Sequence, residues 1–139
     1  MIHEFDEFAV YSVVTGLWKE NCYLLIDRKS LEVAIIDPGD NADAIATGLQ
    51  SIGGKARHIL ITHGHHDHIG AAREICELTD LSCSIHRADV STLRRAPLYA
   101  LAMEQRKVTV PDAVTPFDGV QRFDLPMLEA ELKRAGAEF

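Results

Sequence analysis

Within "ILITHGHHDHIGAA", residues 59 to 72, four of the chain's seven histidines stand in six positions: His63, His65, His66 and His68. Asp67 lies among them. Imidazole and carboxylate without thiolate are ligands for Zn²⁺, and equally for Mn²⁺ or Fe. His63 and His65 alternate with Gly64, so in an extended segment both project to one side and can grip one ion. Asp67 and His68 come where the chain turns into a helix, and they can aim at a second point close by, as a two-metal centre requires. Buried without a cation, so many imidazoles would each need a separate hydrogen-bond partner, and any that protonated would repel the others. His66 is out of phase with His63 and His65 and is expected to face outward.

The elements around the cluster must bring it to a sheet's rim. "FAVYSVV" (8–14), "NCYLLID" (21–27) and "EVAIID" (32–37) are rich in β-branched and aromatic residues and bounded by turn formers, so they read as strands. The last two are close enough for an antiparallel hairpin around "RKS". After "DPGD" the period changes: Ile45, Gly48, Leu49 and Ile52 mark a helix, with Asp40 as the expected N-cap and Gly53 as its stop. "RHILIT" (57–62) is almost continuously apolar, as in a strand buried on both faces, and it delivers the histidines to the carboxyl edge of the sheet, where α/β proteins commonly bind ligands.

Downstream, Ile69, Ala72, Ile75 and Cys76 predict a helix to about residue 79. "SCSIH" (82–86) is a strand, and "RADVSTLRRA" begins a helix expected to break at Pro97. Residues 110–119 read as loop and turn, "VQRFDL" as a short strand, and Leu125, Leu128, Leu132 and Ala135 as one face of a closing helix. The order is α/β, a mixed sheet flanked by helices, in one domain covering residues 1–139.

Composition narrows the function. Hydrophobic residues make up 47% and charged residues 25% of the 139, which supports a packed core. A formal charge of −7 opposes nucleic acid or an anionic membrane as partner, because both demand a basic face. "MIHEFDEFAV" carries acids where a secretion leader would be basic, and no apolar stretch approaches about 18 residues, so a cytoplasmic location is expected. Cys22, Cys76 and Cys83 lack paired spacing and read as reduced, partly buried thiols.

"THGHHDHIGA" resembles the His-x-His-x-Asp-His signature of the metallo-β-lactamase superfamily. "NCYLL" and "AIIDPG" resemble that family's early strands and the Asp-Pro-Gly loop beneath its metals, "SIHRADVSTL" its following strand and helix, and "VPDAVTPFDGVQRFDL" its hairpin. The pattern is most similar to the hydroxyacylglutathione hydrolase (glyoxalase II) branch. The resemblance implies an αββα sandwich of which this chain supplies the N-terminal half. It implies His63 and His65 at a first metal, Asp67 and His68 at a second, and a metal-bound hydroxide attacking a thioester, lactone or similarly activated carbonyl. Asp67 would also orient the nucleophile or shuttle its proton. Asp37 would fix a histidine tautomer or the loop under the metals, or serve only as a turn residue before Pro38-Gly39.

The family's later ligands, a third histidine, a bridging aspartate and a last histidine, have no counterpart; no histidine follows His86. Asp112, Asp118 and His86 are the residues left to substitute, and the likeness places them elsewhere. Two functions therefore stand: a metal-dependent hydrolase of a small-molecule substrate, and a non-catalytic metal-binding half-domain. A sheet with one uncovered face leads to the expectation of a homodimer.

Overall fold

The computed structural model describes residues 2–16 and 19–118. Seven strands, β1 (Ile2–Glu4), β2 (Phe8–Thr15), β3 (Glu20–Asp27), β4 (Glu32–Ile36), β5 (Lys55–Ile61), β6 (Cys83–His86) and β7 (Val114–Phe117), form one sheet in sequence order. The first four pair antiparallel and the last four pair parallel. The expected hairpin between β3 and β4 is present. Buried Asp27 closes it by accepting bonds from the amides of Lys29 (3.0 Å) and Ser30 (3.3 Å).

The parallel half needs crossovers, and helices supply them. α1 (Ala42–Ser51) joins β4 to β5; α2 (His66–Ile69) and α3 (Ala72–Thr79) join β5 to β6; a 3-10 turn (Arg87–Asp89) and α4 (Val90–Glu104) follow β6. Strand residues Cys22, Leu24, Ile26, Val33, Ile35, Ile59, Ile61, Cys83 and Ile85 meet Ile45, Ile69, Ile75, Leu93 and Ala100 of the helices in one continuous core. Burying each large aliphatic chain there stabilises the fold by about 1.5–3 kcal/mol. A second, small cluster, Phe8 and Ala34 with Val10, Leu25 and Leu60, is drawn from strands alone. Among the described residues the helices thus back one face of the sheet.

Four local expectations are corrected. Asp40 does not cap α1: its carboxylate is taken by the Asn41 amide at 2.8 Å and by Arg106 at 2.6 Å, and the cap position falls to Asn41, whose side chain instead accepts from the Gly16 amide. The helix expected from Ile69 to 79 is two helices broken at Gly70 and Ala71. α4 runs unbroken through Pro97, held by buried Leu93, Ala96 and Ala100 on either side of the ring. Residues 114–117, expected as loop, form β7, the last strand of the sheet among the described residues, where Pro116 sits opposite Ile85 of β6. Strand β1 had no signal in the pattern. The strand expected at "VQRFDL" and the closing helix lie outside the described residues. No helix among the described residues is long and apolar enough to cross a membrane.

Candidate metal centre

The parallel strands β4 and β5 end side by side, and the residues that follow them make the centre. Asp37, directly after β4, is buried and holds a left-handed backbone (φ 53°), a conformation aspartate tolerates better than most residues. Its amide donates to the Leu60 carbonyl at 3.0 Å, which ties the loop to β5. Its carboxylate then accepts from the Thr62 amide (2.7 Å), from the Thr62 hydroxyl (2.5 Å) and from His68 Nδ1 (3.0 Å).

This network selects tautomers. The Thr62 hydroxyl has one proton, and the Asp37 carboxylate takes it. The contact between Thr62 Oγ1 and His63 Nδ1 (2.9 Å) therefore requires His63 Nδ1 to be the donor. His68 Nδ1 likewise donates to the Asp37 carboxylate. In the neutral ring each of these bonds leaves Nε2 as the free lone pair, the state in which a histidine binds metal.

Close packing holds the loop in place. A Cβ at Gly39 would sit 2.2 Å from the Asp67 carbonyl oxygen, and one at Gly70 would sit 2.3 Å from the Gly39 carbonyl oxygen. The Asp-Pro-Gly turn is therefore pressed against α2, and the Ala71 amide bonds Pro38 O at 2.9 Å. Gly64 has no special backbone angle. It is required because a Cβ there would lie 2.5 Å from the Leu93 amide nitrogen at the start of α4.

The cluster residues come together as follows. The rings of His63 and His68 have centroids 4.0 Å apart, and His65 meets His63 edge-on at 4.7 Å. His68 Nε2 faces Asp67 Oδ2 and Glu20 Oε2, each at 3.5 Å. Ligand atoms of Asp37, His63 and His68 lie within 4.8 Å of one another, and so do those of Glu20, Asp67 and His68. In the neutral ring the Nε2 lone pair facing two carboxylate oxygens is repulsive, and a cation placed between them removes that repulsion. The donor set therefore fits a divalent ion, with imidazole and carboxylate ligands suited to zinc, manganese or iron.

Glu20 had no signal in the sequence: a glutamate at the end of a hairpin has the pattern of a solvated turn residue. Asp112, Asp118 and His86 stay away from the centre. The first two pair with Arg73 (3.2 Å) and Arg87 (3.1 Å), and His86 caps the 3-10 turn by accepting from the Ala88 amide.

His66 corrects an expectation. The alternation of an extended strand put it outside, but α2 begins at His66, and the helical period swings its ring toward α4. Its side chain is 15% exposed and its Nε2 is buried, 3.5 Å from Glu104 Oε1. Glu104, itself buried, is held by Arg106 (3.2 Å), which also reaches Asp40. Desolvation works against the Arg106 charge, but the carboxylates of Asp40 and Glu104 outweigh it and hold the guanidinium pKa above its ordinary value.

The chain belongs to the metallo-beta-lactamase superfamily, whose family model matches residues 15–136. It is 36% identical over 90 residues to an uncharacterized protein of Mycobacterium tuberculosis, covering 62% of this chain and 38% of that protein. A probable polyketide biosynthesis zinc-dependent hydrolase, BaeB of Bacillus velezensis, is 29% identical over 98 residues (68% of this chain, 44% of the relative). A hydroxyacylglutathione hydrolase of Alkalilimnicola ehrlichii is 42% identical over 53 residues (38% and 20%). The chain spans less than half the length of these curated relatives. Among solved structures, TTHA1623 in a di-iron-bound form superposes with a TM-score of 0.70 at 26% identity, covering 91% of this chain and 85% of that one. The BLEG-1 B3 metallo-beta-lactamase gives 0.72 at 24% identity (83% and 56%) and shares the fold.

Proposed function

We propose that this chain carries the metal-binding part of a hydrolase centre acting on a thioester, lactone or similarly activated carbonyl. The observation that carries the reading is His68, fixed by Asp37 through Nδ1 and facing Asp67 and Glu20 through Nε2. His63 and His65 would hold a first ion and Asp67 and His68 a second. Zinc is favoured by the likeness to a zinc-dependent hydrolase, and iron by the likeness to a di-iron protein. Ions held there supply acidified water and polarisation of a carbonyl oxygen.

The chain's own residues do the rest. Asp37 and Thr62 keep His63 and His68 in the tautomers that leave Nε2 free. Asp67 orients the attacking water and takes up its proton. In thioester hydrolysis the water oxygen forms the new C–O bond, the C–S bond breaks, and the proton ends on the departing sulfur.

The second reading, metal binding without turnover, draws support from Asp112, Asp118 and His86, all engaged away from the centre. Metal analysis beside a thioester assay separates the two. About two ions per chain with turnover support the hydrolase; one or none without turnover supports the half-domain. Substituting His63 or Asp67 by Ala should lower genuine turnover by more than about 100-fold.

A further inference from the structure

A cleft of about 580 Å³ opens directly beside the histidine loop. One wall includes His65 and Asp67, and the other is α4, through Thr92, Arg95, Tyr99 and Met103. The α4 residues recur at i, i+3, i+7 and i+11, a single stripe along the helix next to the face that enters the core. Tyr99 is 50% and Met103 71% exposed, so two large apolar side chains line a space that leads to the metal centre. Isolated exposed apolar residues are ordinary; two along one wall of a cleft form a surface for an apolar ligand.

Arg95 adds a charge. Among the described residues its guanidinium bonds only Ser91, through long contacts of 3.3 and 3.4 Å on its own helix. Two of five donors are used, and the fork geometry suits a carboxylate. Among the described lining residues Arg95 is the one arginine or lysine, on the wall across from Asp67. An anionic group entering the cleft finds its protein-borne counter-charge at Arg95.

We infer that this cleft is the substrate's binding site, and that it selects a thioester whose apolar body carries an anionic group paired with Arg95. The inference rests on the hydrolase reading for the word thioester, and its test separates the two. Tyr99 and Met103 would support the apolar body, while the scissile carbonyl lies toward His65 and Asp67. Arg95 is then a specificity residue that touches substrate without taking part in bond breaking.

The test compares two probes differing in one charge, 5-(phenylthio)pentanoate and its methyl ester, neither of which can be hydrolysed at sulfur. Calorimetric titration of the zinc-loaded protein should show the acid binding about 10-fold tighter than the ester. Arg95→Ala should erase that difference, Arg95→Lys should keep part of it, and Tyr99→Ala should weaken both probes alike. Equal affinities in the wild type would overturn the proposal, and so would an acid preference that survives Arg95→Ala, since the carboxylate would then be held by the metal.

In parallel, S-phenyl monothioglutarate and its methyl ester serve as substrates. A rise in KM for the acid alone, with kcat little changed in Arg95→Ala, supports the assignment. Arg95-dependent binding without turnover of either thioester would leave the cleft standing and remove the hydrolase reading.

Discussion

Asp37 Oδ2 lies 3.0 Å from His68 Nδ1, and the same carboxylate accepts both the amide and the hydroxyl of Thr62. One buried aspartate thus orients two imidazoles, His68 directly and His63 through Thr62. Removing it frees both rings and leaves the Thr62 amide without its acceptor. Asp37→Ala should weaken zinc binding about 10- to 100-fold in a competition with a chromogenic chelator. An affinity equal to the wild type would show that the tautomers are set by something else.

Gly39 and Gly70 test the packing of the same loop. An added methyl at either position would lie far inside van der Waals contact with a backbone oxygen, 2.2 Å at Gly39 and 2.3 Å at Gly70, so the turn and α2 must move apart. Gly39→Ala should lower stability by about 1–3 kcal/mol in chemical denaturation, and metal affinity should fall with it because Asp67 is displaced. Unchanged stability would mean that the turn and α2 are not in contact in solution.

The parts of this molecule legible in the sequence are those whose signals are local. The histidine motif is contiguous, so His63, His65, Asp67 and His68 stood out by type and spacing; the fold brings His63, Asp67 and His68 into the two groups able to share an ion, and leaves His65 outside both. Strands β2 to β6 followed from β-branched runs, and α1 from the recurrence of Ile45, Gly48 and Leu49. What escaped depends on distant partners. Glu20 reaches the centre only because the β2–β3 hairpin folds beside it. The break between α2 and α3 falls where the Ala71 amide leaves the helix to bond Pro38 O, a partner more than thirty residues away. His66 was misread because a period of two was carried one residue too far, past the start of α2. Asp40 lost its capping role to Arg106, a partner invisible without the tertiary fold.

The three cysteines are free, as their spacing implied, and differ in reactivity. Burial, and then the Asp37 charge, push the Cys22 thiol up to about 12. The hydrogen bond with Cys76 and burial push Cys83 up as well, while that same bond holds half-buried Cys76 below the usual thiol range. An aromatic disulfide reagent at neutral pH should therefore modify Cys76 first, and Cys22 and Cys83 only after denaturation. For Cys22 the folded state favours the protonated thiol. Its contribution to stability is complete below pH 9 and declines as pH rises toward 12. Rapid labelling of all three in the native protein would contradict the core described above.

The sheet face turned away from the helices carries Val10, Val14, Tyr23, Leu25 and Leu60, with Val14 60% and Tyr23 39% exposed. We propose that a second copy of the chain covers this face in a twofold dimer. Light scattering at tens of micromolar should give twice the monomer mass, and Val14→Glu should shift it toward the monomer. A monodisperse monomer for the unmodified chain would end that proposal.

The most direct test of the central claim is a calorimetric titration of metal-stripped protein with Zn²⁺, beside the same titration of His68→Ala. The account predicts saturable binding of one or two ions, with the second ion's site weakened by more than about 100-fold in the variant because it loses its imidazole and keeps only carboxylates. Equal zinc affinity in the two proteins, or no saturable binding in either, would contradict it.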